Sequence, residues 1–342
     1  MNAPRPLRFL AAALCILLTG CHITSAPEET TVAAMDTVVS MTAYGDGARE
    51  ALNRASEELS RLDRTLSVTG EKSAVSALNS AGGSWTDVGE DCAALLSAAT
   101  GLSSLTDGAL DVTAYPAVRA WGFTTGSYRI PDAEELGSLL RKIDWTALEL
   151  DGTSARLPEG MALDLGAVAK GYACDRLAAD LREADISSAL LDLGQSSILA
   201  LGAKPDGSPW RIGLLCPDGK NYAGVLELSD RAMGTSGDYQ RFFEQDGRTY
   251  CHIMDPDTAA PARSGLRSVT VVGPSGLMCD GLSTAFFVLG REKSLEIRRA
   301  HPELDIEIIF IDDRGELSLT EGLEDCFFPA ETYSDREVTV LK

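Results

Sequence analysis

An α+β fold, with mixed and antiparallel sheets packed by helices, is predicted by three observations. Residues 46–66 place Ala51, Ala55, Leu59, Leu62 and Leu66 at the spacing of an amphipathic helix. Short apolar runs elsewhere (WRIGLLCP, GVLELSD, SVTVVG, DIEIIFID) have the composition and length of strands. Several strand candidates lie close enough to pair as hairpins, and they alternate irregularly with helices. A doubly wound parallel sheet would alternate regularly, so the α+β class is favoured.

The elements follow in order. Residues 35–44 (MDTVVSMTAY) read as a strand, and the 46–66 helix follows. Residues 91–105 form a second helix, and Gly108 begins a turn. The span 125–160 is charged and turn-rich, a candidate insertion or subdomain join. MALDLGAVAKGYACDRLAADLREA reads as a short apolar strand carrying Asp164, then Gly166, then a helix with Val168, Tyr172, Leu177 and Leu181 along one side. ISSALLDLGQSSILALG is a strand, a Gly turn and a strand. Near the end, GLSTAFFVLG reads as a buried helix and SLEIRRAHP as an exposed one. There is no internal repeat.

The chain has 342 residues, 30 Lys+Arg against 51 Asp+Glu, and a formal charge of -21. That balance argues against a nucleic-acid binder and against docking on anionic lipid through a polybasic patch. The N-terminus reads as an address. Arg5 and Arg8 precede an apolar run from Phe9 to Leu18, too short to span a bilayer, and the run ends in Leu18-Thr19-Gly20-Cys21. A small pair before Cys is similar to a bacterial lipobox. The expected organisation is a signal peptide over 1–20, a polar tether over 21–31 and a folded body over 32–342. The body is expected outside the cytoplasm, anchored to the membrane by lipid on Cys21. The other body cysteines show no metal-ligand spacing, and buried free thiols are expected.

Neither a dinucleotide-binding GxGxxG nor a P-loop is present, and GxSxG and HExxH are absent as well. Four segments carry polar groups beyond what packing asks for. Thr106–Thr113 runs through Asp107, Gly108 and Asp111 toward Tyr115-Pro116 and Trp121-Gly122-Phe123. Asp164-Leu165-Gly166-Ala167 opens a helix whose first turn holds Lys170, where a cation opposes the helix dipole unless it serves an anion. Thr235–Tyr239 is followed by Tyr250-Cys251-His252 around a probable hairpin. His252 is the one histidine of three with a plausible catalytic setting. Asp280 and Thr284 share one helix face and offer hard oxygens suited to Mg²⁺ beside a phosphate; an N-cap Asp with a buried Thr would fit the same spacing.

In this order the segments resemble the ApbE family of flavin transferases. The resemblance spans roughly 32–330 and rests on AMDTVVS, DGALDVTAYPAVRAWGF, ALDLGAVAKGYACDRL, TSGDYQRFF, HIMDPDTAAP and DGLSTAFFVLG. It implies Mg²⁺-dependent transfer of FMN from FAD to a Thr of a target protein through a phosphoester bond, with release of AMP. It implies that Met35 touches the flavin and that Ala109, Leu110 and Asp111 line the FAD pocket. Asp164 and Lys170 would hold FAD. The Ala167 carbonyl, Asp280 and Thr284 would ligate Mg²⁺. His252 would be the general base for the acceptor hydroxyl or a group that positions FAD. The implied partner is an extracytoplasmic redox protein or domain.

Three positions depart from the family pattern. Ala259 stands where the DPxTG motif has Gly, and Gly194-Gln195-Ser196 replaces a GGN-like turn. Ser67-Val68-Thr69 lacks a ligand-stacking aromatic, a contact Tyr115 or Trp121 could supply. Two other functions stay open from the sequence: Mg²⁺-dependent hydrolysis of FAD to FMN and AMP, and flavin binding without turnover.

Overall fold

The computed structural model describes residues 26–334 and 338–342. The expected signal peptide and lipidation site, residues 1–20 and Cys21, lie outside the described residues. Nine strands form the central sheet, and their spatial order is their chain order: Glu28–Ala34, Thr37–Tyr44, Ser188–Leu193, Ser197–Leu201, Arg231–Gly237, Leu266–Gly273, Glu307–Asp312, Leu317–Thr320 and Thr339–Leu341. Neighbours are antiparallel until the last pair, which is parallel. The α+β expectation therefore holds.

Alternation along the strands makes three layers. Leu199, Leu201, Ala232, Val269, Val271, Ile308 and Phe310 point to one face. There they meet the helices Ala48–Leu66, Gly89–Leu105, Ala169–Glu183 and Gly276–Leu289. Ile198, Ala200, Met233, Val272, Ile309 and Ile311 point to the other face, against a small sheet of Trp210–Leu215, Tyr222–Leu228 and Phe327–Pro329. With cover on both sides, the central strands read as continuous apolar runs. A third cluster gathers Trp121, Phe123, Phe243 and Tyr250 where the hairpin Phe242–Gln245/Arg248–Cys251 meets the 115–123 segment.

Three local expectations are corrected. The first strand starts at Glu28, so the tether expected over 21–31 gives its last four residues to the sheet. Its Thr30–Val32 stretch is ladder-paired with Val39–Met41, and backbone pairing overrode a polar composition. Met35 is not in a strand: with Asp36 it makes a two-residue turn at φ 53° and 58°. Asp164 lies in an irregular segment rather than a strand, although Asp164 N–H donates to the Val112 carbonyl at 2.9 Å. The 125–160 span packs into the body at both ends: its Leu139 enters the aromatic cluster, and Leu148, Ala155 and Leu157 enter the main core.

Candidate active site

The floor of the site is a crossing of two helices. Helix 169–183 begins at Val168 without a side-chain cap. Its Gly171 N–H donates instead to Asp280 Oδ2 of helix 276–289, at 2.9 Å. Asp175 of the first helix returns the favour to the second. It accepts from Gly276 N–H at 2.6 Å, Leu277 N–H at 3.0 Å and Ser275 Oγ at 2.7 Å. Each helix thus caps the start of the other with a carboxylate, which also suits the positive end of each dipole. The approach is so close that a Cβ at Gly171 would stand 2.1 Å from the Gly276 carbonyl oxygen. Asp280 is therefore interior to its helix, and the cap of that helix is Ser275.

Asp280 is 5% exposed, and Ser197 Oγ donates to its Oδ1 at 2.9 Å. Burial pushes its carboxyl above the usual carboxylate range, against the pull of Lys170 and of its hydrogen bonds. One turn on, Thr284 Oγ1 lies 3.0 Å from Ser236 Oγ, which also meets Ser283 Oγ at 2.9 Å. The Ala167 carbonyl, just before the first helix, accepts from no backbone N–H among the described residues.

Above this floor is a cavity of about 360 Å³. It is lined by every body residue to which the resemblance assigns a role: Met35, Ala109, Leu110, Asp111, Asp164, Ala167, Lys170, His252, Asp280 and Thr284. Segments from five parts of the chain converge there. Cys21 is outside the described residues. The Asp111 carboxylate is already engaged: Oδ1 accepts from Thr113 N–H at 2.7 Å and Oγ1 at 2.6 Å, and Oδ2 from Trp145 N–H at 3.0 Å. Its side chain thus shapes the wall. Asp164 accepts from Gly166 N–H at 3.0 Å, and burial raises its carboxyl while Arg241 and Lys170 oppose the rise.

His252 is held by its backbone N–H, which donates to the Arg241 carbonyl at 3.0 Å. Its ring sits edge-on to Phe123, and Nδ1 is buried without a hydrogen-bond partner among the described residues. Burial, then the Arg241 and Lys170 charges, lower its pKa to about 4. The ring is therefore neutral at neutral pH and a weaker base than a free histidine. An orphaned ring nitrogen in a cavity wall costs stability unless a ligand completes it.

Sequence reasoning missed Arg241 and Gln240 as lining residues; Ser236 and Phe123 also line the cavity and stood in the segments singled out, without a role of their own. Arg241 stood in the TSGDYQRFF motif, where the hydroxyls and Gly drew attention instead. Of the two aromatics considered as substitutes near Thr69, Tyr115 lines the cavity. Trp121 lies behind the wall and donates Nε1–H to the Ala259 carbonyl at 2.9 Å. Ala259 and Gln195, at the Gly-to-other departures, both take left-handed backbone, at φ 53° and 65°. Gln195 N–H is fixed by Asp192 Oδ1 at 2.7 Å.

Among the described residues no group of three or more His, Cys, Asp or Glu is placed to hold a metal. The set implied for Mg²⁺ is different in kind, with one carboxylate, one hydroxyl and one carbonyl. Those are hard oxygens, and each Asp280 oxygen carries a single hydrogen bond with a lone pair left over. Mg²⁺ is commonly held by one or two carboxylates plus substrate phosphates, so the donors fit.

The ApbE family model matches residues 35–310. This chain belongs to the ApbE family. A FAD:protein FMN transferase of Treponema pallidum is 35% identical over 275 residues, 75% of this chain and 76% of its own length. One from Klebsiella pneumoniae is 29% identical over 335 residues, 91% and 94% of the two chains. The match to a Vibrio cholerae relative, 36% identical over 218 residues, covers 62% of this chain and 65% of that one. Among solved structures, the ApbE protein of Thermotoga maritima superposes with a TM-score of 0.82 at 30% identity, covering 90% of this chain and all of the other. The Pseudomonas stutzeri flavinyl transferase ApbE gives 0.78 at 32% identity, covering 88% and 97%. The ApbE fold is thus shared over about nine-tenths of this chain.

Proposed function

We propose that this chain transfers FMN from FAD to a Thr hydroxyl of a target protein and releases AMP. The observation that carries the reading is the meeting, in one cavity of an ApbE-family chain, of His252 with an unpartnered ring nitrogen and the oxygen set of Asp280 and Thr284. The acceptor hydroxyl oxygen bonds to the FMN-side phosphorus. The bond from that phosphorus to the bridging oxygen breaks, and AMP departs with that oxygen. The hydroxyl proton passes to an imidazole nitrogen of His252, which is neutral at neutral pH and free to accept it. Lys170 supplies positive charge to the diphosphate in a chain that is otherwise strongly acidic. The ring systems of Tyr115 and Phe123 and the thioether of Met35 offer apolar surface to the flavin or adenine.

Mg²⁺ would be held by the Ala167 carbonyl, Asp280 and Thr284, and when bound it neutralises charge that develops on the phosphate oxygens. The lipobox reading of Cys21 supports an extracytoplasmic, membrane-anchored enzyme. The acceptor is then an exported redox protein or a redox subunit facing the same side.

The test is AMP release from FAD by the full chain, with and without Mg²⁺ and with and without a Thr-bearing acceptor domain. AMP that depends on acceptor, with FMN mass gained by the acceptor, is the expected result. AMP without acceptor makes the chain a hydrolase, and bound FAD without AMP makes it a flavin carrier.

A further inference from the structure

Two basic side chains line the cavity, Lys170 and Arg241, and only Lys170 has been given a task. Arg241 follows the sheet strand Arg231–Gly237 and precedes the hairpin strand Phe242–Gln245. The connection between them is held firmly. Asp238 N–H donates to the Arg267 carbonyl at 3.1 Å, and Arg267 Nε donates back to Asp238 Oδ2 at 3.1 Å. Arg267 Nη2 reaches the Pro217 carbonyl at 3.2 Å. Tyr239 folds over Gly237 so closely that a Cβ there would stand 2.4 Å from its ring. At the far end, the Arg241 carbonyl takes the His252 N–H. The backbone of Arg241 is thus pinned on both sides.

Its guanidinium is not. Arg241 is exposed and makes no ion pair among the described residues, although the chain carries 51 acidic groups. Its charge nonetheless reaches Asp164, ahead of one helix, and His252, beyond the hairpin. A cation that stands between two cavity groups from distant elements, with its backbone fixed and its fork unpaired, is arranged for an anionic ligand. A guanidinium matches two phosphate oxygens at once, where an ammonium offers only a point charge.

We infer that Arg241 is a diphosphate-binding residue, its planar fork gripping phosphate oxygens beside His252 while the Asp238–Arg267 pair holds its loop in place. The inference rests on the FAD reading above and assigns a residue within it.

The experiment measures binding of FAD, ADP and riboflavin by the full chain and by its Arg241→Gln and Arg241→Lys variants. For Arg241→Gln the dissociation constants of ADP and FAD rise by about tenfold to a hundredfold, the loss expected for hydrogen bonds to a charged group. Riboflavin, which has no phosphate, binds as before. Arg241→Lys lies between, since it keeps charge and loses the fork. Unchanged ADP binding in the Gln variant overturns the inference. So does an equal loss for riboflavin, which would make Arg241 a wall residue only. If the unaltered chain binds none of the three, the FAD reading falls and this assignment with it.

Discussion

The floor and the wall of the cavity are built on opposite plans. The floor is two helices in backbone contact at Gly171 and Gly276, each started by the other's carboxylate. The wall, where Tyr115 and Phe123 face the cavity, is backed by side chains: Tyr128 stacked on Phe243, and Phe243 stacked on Tyr250, each pair at 5.0 Å, with Trp121 5.4 Å from Tyr250. Tyr128, at the outer end, is 46% exposed. Where a carboxylate must stand at a fixed place, the molecule uses backbone and hydrogen bonds. Where the wall must be backed, it uses packed rings.

Breaking the floor should have the largest effect. Asp280→Asn is expected to abolish FMN transfer, because the proposed Mg²⁺ ligand and its charge are lost. It is also expected to stabilise the chain without ligand. Asp280 holds its proton more tightly in the folded chain than in the unfolded one, so its contribution to stability is lost as pH rises through the folded value. At neutral pH the variant should melt higher, and the gain should vanish in acid, below the ordinary Asp value. Retained transfer in Mg²⁺ would sink the metal assignment, and a lower melting point at neutral pH would sink the burial argument.

His252→Ala joins floor to wall, and should lower turnover by about a hundredfold or more while FAD binding changes little. A binding defect that matches the turnover defect would make His252 a positioning group. In the unaltered enzyme the acid limb of kcat/KM, which reports the free enzyme, should have its midpoint near the lowered pKa of about 4. A midpoint close to the ordinary histidine value would place the ring in contact with water or negative charge.

Gly171→Ala tests the crossing itself. The added methyl meets a backbone oxygen that cannot rotate away, so the helices must part. The cost should be about 3 kcal/mol in denaturant unfolding, at the upper end of overpacking effects. A loss well below 1 kcal/mol would mean the two helices can slide.

The smallest effect belongs to the wall. Ala259→Gly relieves a left-handed φ of 53°, and it also frees the unfolded chain and removes a buried methyl. The terms oppose one another, and a net change within about 1 kcal/mol is expected. A larger loss would show that the methyl is a packing element beneath Trp121.

The same contrast governs how much was legible in the sequence. Strand alternation and helical spacing report burial, so the α+β class and the helices over 46–66 and 91–105 could be read directly. The residues of the floor were legible because long motifs place Asp164, Ala167, Lys170, Asp280 and Thr284 on a family pattern. What they do to one another was not. Nothing local to GYACDRL says that Asp175 will cap a helix a hundred residues away. Met35 and Asp36 look like strand residues, and only the ladder between Ala34 and Thr37 makes them a turn. Arg241 was hidden for a similar reason: an exposed arginine reads as a solvated charge until two remote elements fold around it. The perturbation of His252 comes from tertiary burial, which its neighbours in sequence do not record.

The reciprocal helix caps also set when the protein acquires its chemistry. Gly171 and Asp280 are separated by 109 positions, and Asp175 and Ser275 by 100. Contacts of such span close late in folding, since long loops must be ordered before the contacts reward them. Helix 169–183 can begin to form as soon as its own segment is available, but Asp280 reaches its place only when the C-terminal third has been made and docked. A half-folded chain, in whatever compartment it is held, therefore carries neither a completed floor nor a lined cavity, and premature reaction with free flavin nucleotide is denied to it by topology alone.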